Sequence, residues 1–187
     1  MTEQSNPPVR KSYKNELLIG ASVVLAVAAI AVGVYFWIQS TIPKVVYQPV
    51  AACDLLPLSD ARQLLGQQTM TSNVSPPVIA DTTAISRCGY TDGNKDTNRL
   101  VVAAITVRSG INDDGVRRNK ADFSANQANP AFVTVDNLGD GAYFDQSSGQ
   151  LHVLDDGVWM IMSYGPGATP EANKLEDVTA LARQILE

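Results

Sequence analysis

The chain has 187 residues, 45% of them hydrophobic, with a formal net charge of −5. Fourteen Lys/Arg against 19 Asp/Glu argue against nucleic acid as a partner, because the phosphate backbone demands clustered positive charge. Beyond Lys44 the balance is 10 basic to 17 acidic residues, a net of −7, which argues equally against docking on anionic lipid.

Residues 1–16 are polar, contain Pro7-Pro8 and show no apolar periodicity, so they read as a short disordered cytoplasmic tail. Residues 17–38, LLIGASVVLAVAAIAVGVYFWI, carry no charge at all. At ~1.5 Å per residue such a helix spans about 33 Å, enough for the hydrocarbon core of a bilayer. A cleavable signal peptide has a shorter core of roughly 7–15 residues and a small-residue cleavage site directly after it. Here the segment ends in Tyr35-Phe36-Trp37, an aromatic cluster of the kind found at the membrane interface. A buried soluble helix of this length with no polar face is unusual. The reading is therefore a retained transmembrane helix. Arg10, Lys11 and Lys14 precede it and only Lys44 follows closely, which places the N-terminus in the cytoplasm and the rest outside. Ala29 and Gly33 form a small-xxx-small pair, but such pairs are common in membrane helices and need no special role.

Residues 39–52 read as an extended linker, with Pro43 and Pro49 bracketing Val45-Val46-Tyr47. At ~3.3 Å per residue it holds the following domain up to ~40 Å from the membrane. Val50-Ala51-Ala52-Cys53 resembles a lipobox, but Pro43, Lys44 and Pro49 separate it from the apolar core, and acylation leaves Cys88 unpaired. The two cysteines, Cys53 and Cys88, both lie beyond the anchor and read as one disulfide. The loop of roughly 36 residues that it closes is worth about 3–4 kcal/mol on the chain-entropy account. Two cysteines and the single His152 do not make a four-ligand zinc site.

Residues 53–187 read as one domain. Ser59 is placed to cap a short helix, Asp60–Leu65, which Gly66 ends. Gln67–Ala84, with Pro76-Pro77 and many Ser/Thr, reads mostly as loop. Ile85–Thr91 reads as a strand with Cys88 and Tyr90 on one face, and Asp92–Asn98 as a turn. Leu100–Val107 is apolar on both faces, the mark of a central strand. Asp113-Asp114 favours the positive end of a helix running to about Gln127, with few apolar positions, so it should pack lightly and fray. Phe132–Val135, Ala142–Asp145, Leu151–Leu154 and Val158–Ser163 follow as short strands, with turns at Ser148-Gly149 and Asp156-Gly157. A last helix is expected with Thr169 as cap and Pro170 at its first position, its apolar residues running from Ala172 to Leu186. The fold class is α+β, a mostly antiparallel sheet packed by helices.

Cys53-Asp54-Leu55-Leu56, Leu64-Leu65-Gly66, Cys88-Gly89-Tyr90, Leu138-Gly139-Asp140-Gly141-Ala142-Tyr143 and Leu181-Ala182-Arg183 together resemble a family of small cell-envelope domains of Gram-positive bacteria, mostly lipoproteins of unknown function. The resemblance covers Cys53 to the end. It implies an extracytoplasmic α+β domain with the two cysteines joined, and it brings no activity. The spanning helix in place of a lipid departs from the family's pattern.

No catalytic motif holds. Asp92-Gly93-Asn94-Lys95-Asp96 begins like a calcium loop, but Thr97 stands where Gly belongs and Ala103 where a bidentate Glu belongs. Leu138-Gly139-Asp140-Gly141 lacks the Lys and the helix of a phosphate loop. His152 reads as a surface-facing strand residue without a nucleophile motif. Asp155-Asp156 reads as a turn with adjacent side chains facing opposite ways, and Arg117-Arg118 as a solvated helix face. The expected function is a membrane-anchored, extracytoplasmic binding or interaction module of the cell envelope. It is expected to be no enzyme, to use no cofactor or metal, and to take an envelope protein or cell-wall ligand as partner. The alternatives are an accessory subunit of a membrane complex and a carboxylate-dependent envelope hydrolase. A deep pocket with converging Asp/Glu favours the hydrolase, and a broad exposed apolar patch favours a protein partner.

Overall fold

The computed structural model describes residues 47–186 together with Val32 and Val34. The cytoplasmic tail, the transmembrane helix and the start of the linker expected from the sequence lie outside the described residues, those two valines apart. Among the described residues no helix is long and apolar enough to cross a membrane. The chain divides into two compact units between Val45 and Val46, and the account that follows concerns the second.

Two short helices open the domain, α1 (Ala52–Leu55) and α2 (Leu58–Leu65). A three-strand meander follows: β1 (Met70–Ala80), β2 (Thr83–Thr91) and β3 (Val101–Gly110). Helix α3 (Asp113–Gln127) then crosses one face of the sheet to its opposite edge, where β4 (Phe132–Val135) begins. From there β5 (Gly141–Asp145), β6 (Gln150–Asp155) and β7 (Val158–Pro166) step back until β7 pairs with β3. A 3-10 turn, Pro170–Ala172, precedes helix α4 (Leu175–Leu186). The sheet has seven strands in the order β1-β2-β3-β7-β6-β5-β4, and every neighbouring pair is antiparallel. The fold is α+β, as expected, and β3 sits inside the sheet as its two apolar faces required.

Period-two alternation sends the side chains of the inner strands to two cores. On one face Cys88, Ile105, Val107, Leu151, Val153 and Met162 pack with Leu56 and with Val178 and Leu181 of α4. Burying each of the larger aliphatic side chains stabilises the fold by roughly 1.5–3 kcal/mol. On the other face Phe123 of α3 packs with Tyr143, Leu154 and Trp159. Asn112 caps α3, its side chain accepting from the Gly115 N–H at 2.8 Å, so the cap is the residue before the acidic pair. Few apolar positions suffice here because Phe123 sits edge-on to Trp159, with centroids 5.9 Å apart, and Asn119 is fully buried, donating to the Arg108 and Gly157 carbonyls. Gly115 is required: a Cβ there would collide with the carbonyl oxygen of Thr82 in the β1–β2 turn.

Three local expectations need correction. The stretch Gln67–Ala84 is not mostly loop, because Met70–Ala80 forms the longest strand, paired with β2. Pro76-Pro77 misleads because both fall in the register shift between Ser75 and Val78, on an edge strand where missing N–H groups are tolerated. Ser59 is not the cap of α2, which starts at Leu58, two residues earlier than expected; its hydroxyl bonds the Asp60 carboxylate instead. The last helix starts at Leu175, and Pro170–Ala172 is a separate 3-10 turn. Asn173 breaks the two apart with extended backbone, and its side-chain amide donates to the Gly149 carbonyl at 3.0 Å.

The described end of the linker is tied to the domain. Ser86 Oγ donates to the Val50 carbonyl at 2.7 Å and accepts from the Ala52 N–H at 3.0 Å. Val50 N–H donates to Ser109 Oγ, and Tyr47 to the Asp113 carboxylate. The chain thus enters the sheet as a docked segment from Tyr47 onward.

Candidate interaction surface

The cysteines are joined. Cys53 and Cys88 form a disulfide with their Cα atoms 5.1 Å apart, stapling α1 to β2. Cys88 is fully buried, and Tyr90 beside it donates its hydroxyl to the Leu56 carbonyl at 3.1 Å. Burial raises the Tyr90 pKa above the ordinary phenol value.

His152 lies on the opposite face and is half-buried instead of surface-facing. Its ring stacks on Tyr143, with centroids 4.5 Å apart and planes 11° apart, and Tyr143 stacks in turn on Phe132. Trp159 Nε1–H donates to His152 Nδ1 at 3.3 Å, so the ring is neutral with its proton on Nε2. The sequence hid this because the partners come from three other strands. Burial lowers the His152 pKa from 6.5 to about 4, with the Asp145 charge opposing weakly. Burial also pushes Tyr143 up to about 12. Between pH 6.5 and about 4 the unfolded chain holds more protons on this histidine than the folded one. Stability is therefore full above the upper value and falls as the pH drops through the window. The full shift is worth about 3 kcal/mol, and solvent screening at the half-buried ring trims it to about 1–2 kcal/mol. His152→Gln should remove this share of the acid sensitivity. Urea unfolding of both proteins at pH 7, 5 and 4 measures it, and parallel pH profiles would refute it.

The other motifs are structural. In the Asp92–Asn98 turn, Asp92, Asn94 and Asp96 each accept a backbone N–H two residues on, which commits these side chains to shaping the turn. Leu138 is buried, and Gly139 adopts a positive φ of 58° in the turn into β5. Arg117 pairs with Asp114, and Arg118 with Asp81 and Asp122. Among the described residues no three His, Cys, Asp or Glu side chains converge as metal ligands. Asp155 and Asp156 form the β6–β7 turn with Gly157, as expected, and both residues border one cleft with Val50, Leu55, Met160 and Ile185. That cleft holds about 210 Å³. Small-molecule sites usually hold roughly 300–1,000 Å³, so it is undersized for one.

The outer edge of β1 is different in kind. Among residues 47–186 the exposed large hydrophobic side chains are Met70 (60% exposed), Val74 (53%), Val78 (58%), Ile79 (61%) and Val133 (37%). Four of these lie on β1, which is an edge strand with no second neighbour among the described residues. Met70–Ala80 contains no charged residue. Proteins normally blunt sheet edges by brevity, charge, proline or cover. The opposite edge, β4, is blunted by brevity, with only 4 residues. Strand β1 has 11 residues, and among the described residues its protection is Pro76-Pro77 and a second register shift at Ser72. Sequence reading missed this surface because it missed the strand. The β-branched Val74, Val78 and Ile79 ahead of the Asp81-Thr82 turn were the available signal.

Fold and surface together define a disulfide-stapled α+β domain whose sheet presents one long, uncharged, apolar edge. The chain matches no protein-family model, no curated protein and no solved structure.

Proposed function

We propose that this chain is a membrane-anchored interaction module that displays its domain outside the cytoplasm and binds another polypeptide through the β1 edge. The single observation that carries the binding reading is the exposure of Met70, Val74, Val78 and Ile79 on an uncharged edge strand. Such an edge offers unpaired backbone N–H and C=O groups flanked by apolar side chains, the requirements for adding a strand. The anchor reading is supported by the uncharged run 17–38 and by Arg10, Lys11 and Lys14 ahead of it. The disulfide suits an oxidising compartment. Resemblance to small envelope domains points the same way. The work of the domain is binding and not turnover, and its partner is an envelope protein. An accessory role in a membrane complex is the same reading with a membrane-embedded partner.

Topology is tested in intact cells. A cysteine replacing the exposed Lys95 is expected to react with a thiol reagent that cannot cross membranes, and one replacing Thr2 to react only after lysis. The reverse pattern would overturn the display outside the cytoplasm.

A further inference from the structure

We infer that the two cavities flanking Leu186 form one site for a short apolar peptide with both termini free, its ammonium group held at Asp155 and its carboxylate at Arg183. The site lies at the end of α4, apart from the β1 edge, and does not depend on that edge being a contact surface. The cleft of about 210 Å³ beside Asp155 is too small alone, but a second cavity of about 300 Å³ is lined by Asn137, Leu138, Gly139 and Arg183, and Leu186 borders both. The two also meet at the end of β6. A Cβ on Gly139 would lie 3.2 Å from the Asp155 Cβ and 2.5 Å from the Leu154 carbonyl oxygen. Gly139, at a positive φ of 58°, is what lets the loop press against Asp155. Asp155 stands opposite Val158 in the β6–β7 register, two residues on from buried Val153, so this half-buried residue points its side chain to the α4 face of the sheet. Val158, Met160 and Ile185 give the first cavity its apolar walls. Arg183 is exposed, one turn before Leu186 on α4. Among the described residues Asp155 pairs with no cation and Arg183 with no carboxylate, so the two do not neutralise each other. The Leu138 and Gly139 N–H groups find no acceptor among those residues either, while that of Asp140 is taken by the Leu154 carbonyl at 2.7 Å. An unpaired carboxylate at one end, an unpaired guanidinium beside two amide donors at the other, and apolar walls between them match a zwitterion with an apolar body. An extended dipeptide separates its terminal charges by about 7 Å, more than the ~4.5 Å between Arg183 and Leu186 along the helix axis. Such a molecule has no net charge, so the net −7 of the chain beyond Lys44 does not repel it as it would a plain anion.

The test is calorimetric titration of the full chain in lipid nanodiscs with leucyl-leucine, its C-terminal amide and its N-acetyl form, with empty nanodiscs as the blank. Leucyl-leucine is expected to saturate one site, and each blocked form to bind about tenfold or more weakly, the loss of one charge-assisted contact. Arg183→Gln is expected to erase the preference for acid over amide and to keep that for free over acetylated amine, and Asp155→Asn to do the converse. Arg117→Gln, on the exposed face of α3, is expected to bind all three forms as the wild type does. Failure of leucyl-leucine to saturate the wild type would overturn the site. Equal binding of the three forms, or equal weakening of all three in Arg183→Gln, would show apolar partition without recognition of the ends and would overturn it too. Saturation seen only after Glu187→Gln would give Arg183 to a carboxylate of its own chain, four residues on, and would overturn the peptide as occupant.

Discussion

Replacing Cys53 and Cys88 together by Ala is expected to remove about 3–4 kcal/mol of stability. The bond spans 35 positions, and α2, all of β1 and most of β2 lie inside the loop that it closes. Cutting it releases the docked entry segment and the edge hairpin from each other in the unfolded chain, which gains conformational freedom. It also leaves two small voids, one of them at the fully buried Cys88 beside Tyr90. Domains of this size hold roughly 5–15 kcal/mol in all, so the loss is a large fraction. At about 2–5 °C per kcal/mol for a domain of this length, the thermal midpoint should fall by about 10 °C or more. Reductant acting on the wild-type protein should reproduce the shift, and the double variant should then be insensitive to reductant. A loss under about 1 kcal/mol would mean that the Ser86 contacts to Val50 and Ala52 already fix the entry segment without the bond.

Elements with a strong period or a sharp punctuating residue were legible in the sequence. Leu100–Val107 reads apolar on both faces, and the strand Val101–Gly110 that contains most of it is interior; Phe132–Val135 and Asp113–Gln127 fall where the pattern put them. Asp156-Gly157 turns the chain with φ values of 46° and 78°, the paired positive values that a two-residue hairpin turn demands. The disulfide was legible from cysteine count and placement beyond the apolar run. What failed were elements fixed by distant partners. Strand β1 satisfies its backbone on β2 alone, so it needs neither alternating burial nor freedom from proline. Asn173 leaves the helical path for a carbonyl 24 residues away. His152 is buried by Tyr143 and Trp159, which no spacing in one strand reveals. The candidate surface was hidden for the same reason as β1: an exposed edge is a property of the sheet order, and local sequence does not encode that order.

The most direct test of the central claim, that the β1 edge is the contact surface, is amide hydrogen exchange on the full chain. The wild type is compared in its native membrane and at high dilution in detergent, alongside the double variant Val74→Lys/Val78→Lys. Both valines are more than half exposed, so charging them leaves the domain's own stability within about 0.5 kcal/mol. Two lysines on β1, however, place charge on the edge and strip it of its apolar flank. In the membrane, wild-type amides in Met70–Ser75 should exchange about tenfold or more slowly than in dilute detergent, because a partner strand takes up their outward N–H groups. In the double variant that protection should vanish, while β3 amides exchange alike in every sample. Equal exchange of Met70–Ser75 in membrane and in dilute detergent, with β3 protected in both, would contradict the account.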